Sequence, residues 1–292
     1  MENCGSDDVK REREVMPKSM FLVVLGIMSN VARSPDNLSK KSDKELCEIR
    51  NKKPCDNKYI LLDEKYTGQS IAHGILRSRY PPLVEFDNET LREAVKLYKQ
   101  DTIKAEEQYG PIACWDVSKV TDMNFMFDGN WLFNADISQW NVSSVTDMKF
   151  MFDGCKSFNA DLSDWDVSSV TNMNSMFRKC ESFNADLSNW DVSKVTIMTS
   201  MFYECKSFNA DLSQWIVSSV TDIQCMFDGC KSFNADLSQW IVSSVKNMRC
   251  MFYECKSFNN DLSDWDVSSV KNMRCMFDGC KSMDKLPEWY KQ

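Results

Sequence analysis

Thirteen cysteines, one histidine and recurring columns of carboxylates and amides are the side chains of this 292-residue chain that could do chemistry. Cys155, Cys180, Cys205, Cys230, Cys255 and Cys280 stand 25 residues apart. Thiolates are nucleophiles and soft-metal ligands, so such a column suggests disulfides, zinc or nucleophilic catalysis. A Cys and His dyad or a mixed zinc centre needs histidines, and His73 is the only one, outside the repeated part of the chain. The column instead aligns with an apolar stripe, where small thiols are good core residues.

Cys225, Cys250 and Cys275 form a second column at a place held by Phe125, Phe150, Ser175 and Ser200 in earlier copies. On a helix, Cys225 and Cys230 would diverge by about 140° and could not share one ion. Disulfides along the second column would need α-carbons of neighbouring helices at about 4.4 to 6.8 Å, which is tight for packed helices. The odd cysteine total points to free thiols and a reducing compartment. There is no Walker loop, GxGxxG or HExxH motif. No catalytic residue, cofactor or metal ligand is assigned, and the chain reads as non-enzymatic.

The aspartates Asp136, Asp161, Asp186, Asp211, Asp236 and Asp261 recur beside Asn134, Asn159, Asn184, Asn209, Asn234 and Asn259. Stacked carboxylates repel unless something compensates them. The first reading is a structural ladder of Asn and Asp that hydrogen-bonds adjacent turns; the alternative is a divalent-cation or acidic recognition strip. Another position varies while the core stays fixed: Asp128, Asp153, Arg178, Tyr203, Asp228, Tyr253 and Asp278. Arg178, Tyr203, Asp228, Tyr253 and Asp278 are the candidate interaction surface, since variation on a fixed frame can diversify binding, although drift on a solvated face gives the same pattern.

The elements that must position these columns follow from one period. Trp115, Trp140, Trp165, Trp190, Trp215, Trp240 and Trp265 recur every 25 residues without insertion or deletion. The unit is illustrated by WDVSSVTNMNSMFRKCESFNADLSN, residues 165–189, and constant length marks each copy as one coil. The ends degenerate, with Asn130 for Cys, Leu132 for Ser and a run-out at Met283, as capping copies do. Val120, Met123, Phe127 and position 130 have spacings of three, four and three, which predicts a short helix over 119–129. Phe133, Ala135 and Ile137 then alternate with Asn134, Asp136 and Ser138, which predicts a short strand. The expected fold is an α/β solenoid of seven 25-residue coils, each a short strand plus a short helix, with a parallel sheet on one side.

Composition narrows the function classes. The chain is 43% hydrophobic and 27% charged, with net charge −8. From 115 to 289 there are 24 acidic and 15 basic side chains, against 19 of each before 115. An acidic surface repels phosphate backbones, so protein partners are expected and nucleic acid is not. No apolar run approaches 18 residues, which argues against a membrane span.

The repeat resembles the BspA-type, leucine-rich-repeat-like family of mycoplasma and bacterial surface proteins with 25- or 26-residue repeats, the DUF285 type. The resemblance covers 115 to about 283. It implies a right-handed solenoid used in adhesion or protein recognition, and supplies no catalytic residues. The preceding stretch, 86–114, resembles the amphipathic lead-in of such repeats, and Leu91, Ala94, Val95 and Tyr98 share one helical face that would cover the first coil.

The expected organisation is a disordered leader over 1–15, a small helical module over 16–80, a helical cap over 85–114 and the repeats over 115–292. Residues 20–28 (MFLVVLGIM) have the length of a signal-peptide core but follow an acidic leader and precede a poor cleavage site. Residues 45–66 faintly resemble the F-box-like modules that recruit ubiquitin-ligase subunits through an adaptor. A cytoplasmic adaptor and a secreted adhesin are therefore both open, with cytoplasmic placement favoured by the thiols. Export would show as cleavage after residue 28 and glycan at Asn37, Asn88 or Asn141, each in an N-x-S/T triplet.

Overall fold

The computed structural model describes residues 84–291. The leader, the 16–80 module with its signal-like and F-box-like readings, and His73 lie outside the described residues.

Two helices precede the first repeat. Helix α1, Asn88–Gln100, opens with a capping box in which Asp87 accepts from the amides of Glu89 and Thr90 while Thr90 Oγ1 accepts from the Asp87 amide. Those Thr90 bonds hold the Asp87 carboxyl below the usual carboxylate range. Helix α2, Thr102–Tyr109, is capped by Asp101, which accepts from the Lys104 amide at 3.0 Å. Leu91, Ala94 and Val95 are buried in the same core as the first repeat. Phe86, Tyr98 and Tyr109 pack around Trp115 with ring centroids 5.1, 6.0 and 6.0 Å away. The Trp115 Nε1 donates to the Gly110 carbonyl at 2.9 Å.

Each repeat pairs with the next at a register of 25 residues. Single-residue parallel bridges join Asp122 to Asp147, then Asn172, Ile197, Asp222, Asn247 and Asn272 in turn. Every second amide of the following segment continues the pairing: those of Met123, Phe125, Phe127 and Gly129 donate to the carbonyls of Asp147, Lys149, Met151 and Asp153 at 2.8 to 2.9 Å. The alternate amides close tight turns within the repeat, Met126 to Met123 and Asp128 to Phe125, both at 3.3 Å.

The helix expected over 119–129 is therefore not there. An α-helix commits each amide to the carbonyl four residues back, whereas here half of these amides are bonded to the neighbouring repeat. Phe125 also has φ +55°, and the same place in later repeats has φ between +53° and +58°. A left-handed residue breaks a right-handed helix and costs a non-glycine side chain about 1 to 2 kcal/mol. A train of tight turns advances apolar positions by three and four residues, as a helix does, and that explains the misleading period. The strand expected at Phe133, Ala135 and Ile137 also has no backbone ladder: the bridges lie at the Asp122 column, and the Phe133 segment is joined to its neighbours by side chains.

The core is a set of aromatic columns. Phe127 stacks on Phe133 within its repeat at 4.0 Å and on Phe152 of the next at 5.5 Å. The pattern continues through Phe177, Phe202, Phe227 and Phe252 to Phe277. The tryptophans are nearly parallel, as in Trp190 and Trp215 at 6.5 Å and 2°. From Trp165 to Trp265 each indole donates to the carbonyl 28 residues back: Trp190 Nε1 to Leu162 at 3.0 Å and Trp215 Nε1 to Leu187 at 3.0 Å. The apolar stack and its polar ties thus require the same register.

Candidate functional site

The asparagine column forms a ladder between repeats. Asn134 Oδ1 accepts from the Asn159 amide at 2.8 Å, and the pattern repeats through Asn184, Asn209, Asn234 and Asn259 to the Asp284 amide. The aspartates do something else, which corrects the expectation of a joint ladder. Asp136, Asp161, Asp186, Asp211, Asp236 and Asp261 each accept from the amide of the serine two residues on, at 2.8 to 3.1 Å. These are Asx turns inside one repeat. The Ser188, Ser238 and Ser263 bonds hold Asp186, Asp236 and Asp261 below the usual carboxylate range. An ionised carboxylate bonded by its own turn is already compensated, so the column needs no cation for stability.

The first cysteine column is a set of donors. Cys180 Sγ donates to the Phe152 carbonyl at 3.0 Å and Cys205 Sγ to Phe177 at 2.9 Å, with the same bond from Cys155 through Cys280. Burial pushes the Cys155 and Cys280 thiols up to about 12, and Cys180, Cys205, Cys230 and Cys255 well above the ordinary thiol value. Protonated thiols tied to a carbonyl are poor nucleophiles. Nine of the ten described cysteines are free, and Cys114 is disulfide-bonded, a departure from the all-thiol expectation.

The candidate interaction surface is only partly free. Arg178 Nη1 bonds Asp153 Oδ2 at 2.9 Å, and its guanidinium lies over the Tyr203 ring at 5.5 Å. Asp153 is buried and its other carboxylate oxygen has no hydrogen-bond partner. Burial pushes the Asp153 carboxyl up against the pull of Arg178. Asp228 is half-buried, whereas Tyr253 and Asp278 are exposed. The variable column is thus knitted between repeats at Asp153, Arg178 and Tyr203 and faces solvent toward its carboxyl-terminal end.

Two features were missed in the sequence. Large apolar side chains are exposed at Trp131 (61%), Leu132 (63%), Ile216 (59%) and Ile241 (62%). Ile216 and Ile241 replace the Asp or Asn that follows the repeat tryptophan in the other copies, a signal legible by alignment. The second is the convergence of Cys225, Asp228 and Cys250, whose ligating atoms lie within 4.8 Å of one another. Spacing had ruled out Cys225 with Cys230, but the pair brought together is Cys225 with Cys250, one repeat apart.

Asp228 also gives a pH prediction. Burial pushes its carboxyl up to about 6 from an unfolded value near 3.8. The folded state then holds this proton more tightly, so its stabilising contribution is full below about pH 4 and is lost as pH rises through about 6. Asp228→Asn is expected to raise stability at neutral pH by about 1 to 2 kcal/mol, with the gain shrinking toward pH 5. Paired denaturant titrations across that range check it; a gain independent of pH would locate the effect elsewhere.

No described helix is long and apolar enough to cross a membrane. A family model described as "Mycoplasma protein of unknown function, DUF285" matches residues 96–202 and again 186–289, together more than half of the chain. No curated protein and no solved structure matches it.

Proposed function

From the premise that the chain belongs to the family described as Mycoplasma protein of unknown function, DUF285, we propose that its repeats form a right-handed, leucine-rich-repeat-like solenoid of BspA type that binds another protein without catalysis. The observation that carries this reading is the pair Ile216 and Ile241. They are 59% and 62% exposed, one repeat apart, where the flanking repeats have Asp191 and Asp266. Single exposed apolar residues are ordinary, but a paired break in a polar column is the kind of patch that partners cover. The acidic repeats favour a protein over a nucleic acid.

The surrounding structure supplies a clean test. Asp191 and Asp266 each accept from the amide of the serine two residues on, so aspartate at 216 and 241 recreates a native turn. Ile216→Asp with Ile241→Asp is expected to fold with an unchanged or higher melting temperature while losing the proteins that the wild-type chain captures by crosslinking in its own cells. Identical capture by the double variant would overturn this surface as the binding site.

A further inference from the structure

We propose that Cys225, Asp228 and Cys250 form a binding site for a zinc-like divalent cation, held between two adjacent repeats. The three ligating atoms already converge within 4.8 Å, and donors around one zinc stand about 3.5 to 3.8 Å apart. Their convergence has a backbone cause. The Cys225 amide donates to the Arg249 carbonyl at 2.8 Å and that of Cys250 to the Arg274 carbonyl at 3.0 Å, so the second cysteine column steps at the pairing distance of the repeats. Both residues have φ +53°, which points their side chains the same way. Phe125 and Phe150 show the same geometry two phenylalanines wide, with rings 4.8 Å apart and 9° from parallel.

The chemistry is consistent with that placement. Cys225 and Cys250 are buried and Asp228 is half-buried, with their ligating atoms turned toward one another. Two thiolates and a carboxylate carry −3; a divalent cation leaves −1, which the neighbouring Arg249 offsets. Binding requires both thiols to lose their protons, so affinity rises with pH. A soft or borderline cation suits this donor set, a hard one such as calcium does not. Two cysteines and one aspartate leave a fourth position to solvent. Phe125, Phe150, Ser175 and Ser200 hold the column in other repeats, so the thiolate pair is confined to this end.

The test uses the full reduced chain, freed of metal and titrated with cobalt(II) and then zinc(II). One equivalent of cobalt should bind with a thiolate charge-transfer band that zinc displaces, and with affinity rising with pH. Cys225→Ser and Cys250→Ser should each abolish the band and weaken binding at least about tenfold, and Cys275→Ser should leave both unchanged. The serine variants are expected to fold, because Ser175 and Ser200 occupy the same column. No band, a band that survives the Cys225 and Cys250 changes, or a Cys225 to Cys250 disulfide in the protein as isolated would each overturn the proposal.

Discussion

Phe202→Ala is expected to lower the unfolding free energy by about 3 to 5 kcal/mol. The ring is fully buried and lies between Phe177 and Phe227, 5.7 Å from each, with Phe208 at 4.0 Å in its own repeat and Trp215 at 6.3 Å. Truncation removes the transfer free energy of the ring and leaves a cavity that two neighbouring repeats line. The backbone cannot close over it, because the Phe202 amide is tied to the Met226 carbonyl at 2.9 Å and the Cys205 thiol to the Phe177 carbonyl. In a nearest-neighbour stack the loss strikes both interfaces of that repeat. Denaturant titration of the full chain checks it, and a cost under about 1.5 kcal/mol would mean that the stack repacks as a fluid core does.

Insertion of one alanine between Ser200 and Met201 is expected to abolish cooperative folding of the repeats, while excision of residues 191–215 leaves it intact with a modest drop in melting temperature. The contrast rests on register. At Ser200 the amide donates to Gln224 of the next repeat at 2.8 Å, the Met201 amide turns back to Met198, and the Phe202 amide donates to Met226. One added residue exchanges the inter-repeat and intra-repeat amides and carries Met201 and Phe202 off the core side, as a register slip does in any paired extended segment. Excision joins Trp190 to Ile216, which precedes Val217 and Ser218 as Asp191 precedes Val192 and Ser193, so the backbone ties find equivalent partners and the stacking of Arg178 on Tyr203 is lost. Circular dichroism melts distinguish the two. A tolerated insertion would show that the ties are loose, and a disruptive excision would show that individual repeats are not equivalent.

Much of the packing inventory is visible in the sequence. The repeat tryptophans, the Phe127 and Phe133 columns, the Met123 and Met126 columns and the first cysteine column are set by the period and are buried through the inner repeats, with Met273 and Cys280 only partly covered in the last one, because a constant spacing lets one column be covered by the next. Local conformation is not visible in the same way. The spacing of Val120, Met123 and Phe127 fits a helix, yet Phe125 sits at positive φ and its amide leaves for Lys149. Single-segment periodicity records which side chains face inward, not which carbonyl each amide will choose. The Asp136 column shows the same limit: its recurrence suggests a ladder, while a bond to Ser138 two residues away is shorter-ranged and claims the carboxylate first.

The sequence by itself determined the repeat length, the apolar columns and the acidity of the repeats. Those properties are carried by residue type and spacing alone. Only the tertiary structure decided that turns replace the helix, that Asn184 ties repeats while Asp186 ties its own turn, that Arg178 is engaged by Asp153 and Tyr203, and that Cys225 meets Cys250 rather than Cys230. Each of those outcomes depends on the neighbouring repeat, whose amides and carbonyls compete for partners with those of the same segment. The winner is set by stacking distance, which no single repeat encodes.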